Sequence, residues 1–137
     1  MRISSTLNIA RWPLFLFLAL LLLAATVLSR RASAQDARAQ DRIYVVTHVD
    51  VVPEVPVAAG IKLLKQYAAD SRKENGAVRI EVYAQISRPN HFVVVEVWQS
   101  QQAFDAHEAA ASTRQFRTQI QPMLGAPFDQ RLHHIIE

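Results

Sequence analysis

Four residues offer most of the chemistry this chain could do. Glu96 stands two places before Trp98 in an otherwise apolar run, His107 follows nine positions later, and His48 lies in the first apolar run of the polar-to-apolar sequence after residue 41. A carboxylate in such a run must find a partner or take up a proton, because an isolated buried charge is costly. One arrangement that meets this is a salt bridge from Glu96 to Arg79 or Arg131 on a neighbouring strand. The other is a general base or acid facing a pocket, with His48 of equal strand parity looking into the same hollow. Taken singly, the other side chains have ordinary roles: Trp98 in a core or dimer contact, His91 beside a turn, His133 and His134 in solvent. His107 is ordinarily a packing residue, but Phe104 and Ala111 share its helical stripe and draw it toward the interior.

Several chemistries are excluded or left without support. No cysteine occurs, so disulfides, thiolate ligands, thiol nucleophiles and iron-sulfur clusters are ruled out. His48, His91 and His107 form no compact two-histidine, one-carboxylate motif, and neither H-x-x-x-H nor H-E-x-x-H is present. With three glycines in the chain, there is no phosphate loop, dinucleotide fingerprint or nucleophile elbow. The expectation is a site without metal, nucleotide or flavin.

The N-terminus reads as an address label. Arg2 and Arg11 precede an apolar stretch from Trp12 to Leu28, and Ala32-Ser33-Ala34 offers small residues where a signal peptidase cuts. Residues 1–34 are therefore expected to be a signal peptide cleaved after Ala34, which would make the protein periplasmic or secreted. The alternative is an uncleaved membrane anchor, since the stretch approaches the span of about 17 residues that a crossing helix needs. The net charge of +3 belongs to this segment, which holds four arginines and no acid; the remainder carries 11 basic against 12 acidic residues. Nothing in it suggests a nucleic-acid partner.

Residues 35–41 read as a flexible tether, and 42–137 as one domain. Ile43 to Val52 predicts a buried strand ended by Pro53 and Pro56. Val57, Ile61, Leu64 and Ala68 predict an amphipathic helix stopped at Asn75-Gly76. Val78 to Ile86 alternates as a strand, Ser87 to Asn90 turns, and the run from Asn90 returns as its hairpin partner. Ser100 caps a second helix to about Ala111, a further helical piece carries Phe116, Ile120 and Met123, and Phe128 to Ile136 closes the chain as a strand. This order, βαββαβ, predicts an α+β ferredoxin-like sandwich.

Strand parity then assigns two faces. Ile43, Val45, Val49, Ile80, Val82, Ile86, Val93, Val95 and Val97 are expected beneath the helices. Tyr44, Val46, His48, Asp50, Tyr83, Gln85, Phe92, Val94, Glu96 and Trp98 are expected on the opposite face. That face is too aromatic for water and too polar for plain core, so a homodimer joined sheet to sheet, with a lined cavity between the copies, is inferred.

The runs "THVDVVP", "NHFVVVEVW", "AFDAH", "RQFR" and "FDQRLH", in this order, resemble the antibiotic biosynthesis monooxygenase domain in its quinol monooxygenase branch, over Arg42 to Ile135. The resemblance implies a dimeric α+β barrel with one cavity per subunit, and oxygenation of quinol-like or other dihydroxy-aromatic substrates by O2 without cofactor. A substrate that loses a proton becomes electron-rich enough to reduce oxygen itself, so the protein supplies a base and an apolar pocket. His48 or His107 is the expected base, with Glu96 orienting or replacing it. Phe92, Trp98 and Phe104 would line the aromatic slot, and Asn90 is either a donor to substrate or a turn residue. A haem-degrading branch of the same fold uses an Asn on the first strand with a Trp and a His; Trp98 and His107 are similar to the latter two, but the first strand offers His48 and Asp50. Related domains also isomerise small phosphorylated sugars. An exported dimer that binds an apolar ligand without catalysis is the reading from another class.

Overall fold

The computed structural model describes Arg30 and residues 40–136. The expected signal peptide and most of the tether lie outside the described residues. Elements follow in the order β1 (Ile43–Asp50), α1 (Val57–Ser71), β2 (Ala77–Gln85), β3 (Arg88–Trp98), α2 (Gln101–Glu108), α3 (Ala111–Ile120), a single 3-10 turn (Gln121–Met123) and β4 (Asp129–His133). The sheet order is β2-β3-β1-β4 and every neighbouring pair is antiparallel, which is the ferredoxin-like sandwich. Among the described residues, no helix is long and apolar enough to cross a membrane.

Local chemistry sets the boundaries. Gly76 takes φ +86° between α1 and β2, and a Cβ there would stand 2.5 Å from that of Ala103. Arg72, just past α1, ties the helix end to β2 by donating from Nε and Nη2 to the Ile80 carbonyl at 2.9 and 2.6 Å. The Ser100 hydroxyl accepts from the Ala103 amide at 3.2 Å and starts α2 as expected. The hairpin turn falls at Ile86 and Ser87, so Arg88, Pro89 and Asn90 belong to β3. Ile86, expected under the helices, is fully exposed there, because a register shift follows Ala84.

The helices cover one face of the sheet, and the expected parity holds for β1 and β2. Ile43, Val45, Val49 and Ile80 are buried against Leu64, Ala68, Phe104 and Phe116. For β3 the expected parity is inverted. Val45 and Ile80 lie directly opposite Glu96, and Thr47 and Val82 directly opposite Val94. Residues directly opposite in a sheet share a face. Phe92, Val94, Glu96 and Trp98 therefore point toward the helices and are buried, while Val93, Val95 and Val97 face the other way. The physical reason for the error is that Phe92 to Trp98 is apolar at every position but one. Such a run carries no alternation to read, and its single polar residue, Glu96, lies on the buried face.

Candidate active site

Glu96 is fully buried at the centre of the sheet, and among the described residues no lysine or arginine pairs with it. Arg79 pairs with Glu81 and Arg131 with Asp129, both at the surface, so neither makes the expected bridge. The carboxylate instead accepts from two neutral donors: the Tyr67 hydroxyl at 2.5 Å on Oε1 and the Trp98 indole Nε1 at 2.9 Å on Oε2. Trp98 lies two residues further along the same face of β3, which lets its indole turn back onto the carboxylate. Tyr67 comes from α1, on the stripe formed by Leu64, Ala68 and Ser71.

His107 joins this pair from α2. Its Nε2 lies 2.9 Å from the Tyr67 oxygen and 3.8 Å from Glu96 Oε2, and its ring stacks on Trp98 with centroids 4.5 Å apart. On the other side, Nδ1 lies 2.9 Å from Glu74 Oε2 and 3.2 Å from the Thr113 hydroxyl. His107 is 1% exposed, whereas the Glu74 side chain is 22% exposed, so the array runs from the middle of the core to water. Burial first, and then the charge and hydrogen bond of Glu96, push the Tyr67 hydroxyl far above the usual tyrosine range; Glu108 adds to this and Arg117 opposes it. Tyr67 therefore keeps its proton and acts as a donor.

The other expected site residues are divided between the two sides of the sheet. Phe104 and Phe92 are buried on the helix side, Phe104 with its ring 6.3 Å from His107. The Asn90 amide donates to the Val51 carbonyl at 2.8 Å, a structural bond that holds the chain beyond β1. His48 is on the opposite face from Glu96 and exposed, which corrects the expectation that the two share a cavity. His48, Asp50, Tyr83 and His91 instead line an open hollow of ≈ 350 Å³, where His91 Nδ1 pairs with Asp50 Oδ1 at 2.6 Å. Of the residues assigned to the site from sequence, the fold brings together Glu96, Trp98, His107 and Phe104.

Sequence reasoning missed Tyr67, Glu74, Thr113 and Thr47. Tyr67 carried a signal, its i, i+3 spacing from Leu64, whereas Glu74 and Thr113 meet His107 only through tertiary packing. Thr47 is the polar residue of β1 on the helix side; it is 1% exposed and its hydroxyl has no partner among the described residues. Above the array, α1 and α3 leave a groove of ≈ 230 Å³ floored by Tyr67 and Phe116, whose rings stack at 4.2 Å, and rimmed by Gln66, Ser112, Gln115 and Gln119. No set of three or more metal-ligating side chains converges among the described residues.

Residues 42–119 match the antibiotic biosynthesis monooxygenase family. No curated protein matches the chain. Among solved structures, a conserved protein from Methanosarcina mazei superposes with a TM-score of 0.66 at 21% identity, over 71% of this chain and 95% of that one. A protein from Shewanella oneidensis gives 0.64 at 27% identity, over 70% and 92%. A variant of SnoaB, a cofactor-independent oxygenase from Streptomyces nogalater, gives 0.64 at 18% identity, over 71% and 95%.

Proposed function

Because the chain belongs to the antibiotic biosynthesis monooxygenase family, we propose that it oxidises quinol-like or other dihydroxy-aromatic substrates with O2, using its own side chains as the base and no cofactor. The observation that carries this reading is the buried cluster of Glu96, Tyr67 and His107, in which the Tyr67 hydroxyl lies within hydrogen-bond reach of both the carboxylate and the imidazole in a dry aromatic setting. Glu96 and His107 are the pair that takes the substrate proton. The groove between α1 and α3 is the approach, where a flat phenolic ring can stack over Tyr67 and Phe116 with its hydroxyls toward the amides of Gln66, Gln115 and Gln119.

The chemistry balances without an added reductant. A substrate whose keto tautomer has a ring CH2 group loses one proton to the array and gives an electron to O2. The radical pair joins at carbon, the peroxide is protonated, and loss of water leaves a carbonyl. One oxygen atom ends in the product and the other in water. Exclusion of solvent keeps the intermediate from leaking, and the spare Thr47 hydroxyl is a donor available on the sheet floor.

Two further parts of the proposal concern assembly and location. The open face of the sheet, with Val93, Val95 and Tyr83, joins a second copy of the chain, and the protein is exported with cleavage after Ala34. A non-enzymatic dimer that binds an apolar ligand is favoured by one observation, that the carboxylate oxygens and ring nitrogens of the array already satisfy one another. Both ring nitrogens of His107 are engaged, which leaves neither free to ligate a haem iron there; a Soret shift on adding haem would revive that alternative. The deciding experiment is oxygen uptake by the purified protein, stripped of metal and flavin, against a panel of quinols and anthrols. Uptake with one oxygen atom incorporated supports oxygenation, and silence across the panel overturns it.

A further inference from the structure

Tyr67 is an inner joint, and Glu74 the outer end, of a continuous line of polar atoms. The line runs from Glu96 Oε1 to the Tyr67 oxygen at 2.5 Å, on to His107 Nε2 at 2.9 Å, and from Nδ1 to Glu74 Oε2 at 2.9 Å. Its inner end is fully buried, and of its four members only Glu74 reaches water appreciably. Tyr67 has one proton and two neighbours, and this fixes how protons can be arranged. In one arrangement Tyr67 donates to Glu96 and accepts from Nε2–H, so the ring carries both protons and donates from Nδ1 to Glu74. In the other, Glu96 holds the proton and donates to the tyrosine oxygen, Tyr67 donates to a bare Nε2, and Nδ1–H still donates to Glu74. Both contain three protons and the same total charge. They differ only by a concerted shift of two protons along the line.

We propose that Glu96, Tyr67, His107 and Glu74 form a proton-transfer chain that connects the buried carboxylate to solvent, with Tyr67 and Glu74 as its positioning residues. From the state one proton poorer, with Glu96 charged and Nε2 bare, a proton received at Glu96 gives the second arrangement; the shift to the first moves the hydroxyl proton onto Nε2, and the ring then gives up its Nδ1 proton to Glu74 and so to water. The Thr113 hydroxyl, 3.2 Å from Nδ1, donates to the nitrogen so vacated. The charged groups facing the line are Glu108 and Arg117, which are paired with each other. The use of this chain in removing a substrate proton rests on the oxygenase reading; its existence does not.

Proton exchange with water, read by NMR at the His107 ring and the Tyr67 hydroxyl in the substrate-free protein, tests it. Glu74→Gln keeps an acceptor for Nδ1–H but cannot carry a proton, and is expected to slow exchange at both sites by about tenfold or more. Glu74→Asp, which keeps the carboxylate, is expected to restore most of the rate. Unchanged exchange in Glu74→Gln, with circular dichroism showing the fold retained, would overturn the proposal. If exchange responds while no quinol supports oxygen uptake, the chain stands and the oxygenase reading fails.

Discussion

The hydroxyl of Tyr67 stands 2.5 Å from Glu96 and 2.9 Å from His107, and so joins a carboxylate of the sheet to an imidazole of the helix layer. Both neighbours lose a partner when it is removed. Tyr67→Phe leaves Glu96 with the Trp98 indole alone and His107 Nε2 without a hydrogen bond, and an unsatisfied buried polar group costs about 1–3 kcal/mol. Urea unfolding at neutral pH should show a loss of that size at unchanged m-value.

The same residue makes stability fall at high pH. The folded protein holds the Tyr67 proton far above the usual range, whereas the unfolded chain releases it near pH ~10. Above that point the unfolded state binds one proton fewer, so Tyr67 lowers stability by about 1.4 kcal/mol per pH unit. Below it the contribution is constant. The difference between wild type and Tyr67→Phe should therefore narrow between pH 10 and 11 in paired unfolding curves; a parallel pair would show that the hydroxyl ionises in the native state.

Gly76→Ala should be among the most damaging small substitutions in the chain. The residue would have to hold a left-handed backbone, at a cost of about 1–2 kcal/mol, and its methyl would meet Ala103. Because Ala103 sits in the first turn of α2, the helix that carries His107, the thermal midpoint should drop and the His107 NMR signals should shift together.

The open sheet face supplies a prediction about assembly. Val95 lies at its centre, directly opposite Val46 and Glu81. If two copies meet there, Val95→Arg should convert a dimer to a folded monomer by sedimentation, with circular dichroism unchanged. A wild-type protein that already sediments as a monomer would refute the sheet-to-sheet dimer.

Element order, the Ser100 cap, the left-handed turn at Gly76 and the faces of β1 and β2 were legible in the sequence, because each rests on local spacing or backbone chemistry, although the helix itself ends earlier than expected, at Ser71. The facing of β3 was not. Its six apolar positions between Phe92 and Trp98 alternate in nothing but size, and only pairing with Val45 and Ile80 shows which way Glu96 points. The site was half legible for the same reason. Glu96, Trp98 and His107 stand out as residue types, whereas Glu74 and Thr113 become visible only when α2 brings the His107 ring between them. His48 was placed beside Glu96 by an error of one residue in parity, which moves a side chain to the other face of the sheet.

Glu96→Gln is the substitution that separates fold from chemistry most directly. The amide can still accept from Trp98 and donate to the Tyr67 oxygen, so the packing is kept while the proton-accepting charge is lost. Oxygen uptake should be measured for both proteins with the best quinol or anthrol from the panel. A fall in kcat of about a hundredfold or more at near-native thermal stability is the expected result. Equal turnover by the wild type and Glu96→Gln would contradict the assignment of the buried array as the seat of catalysis.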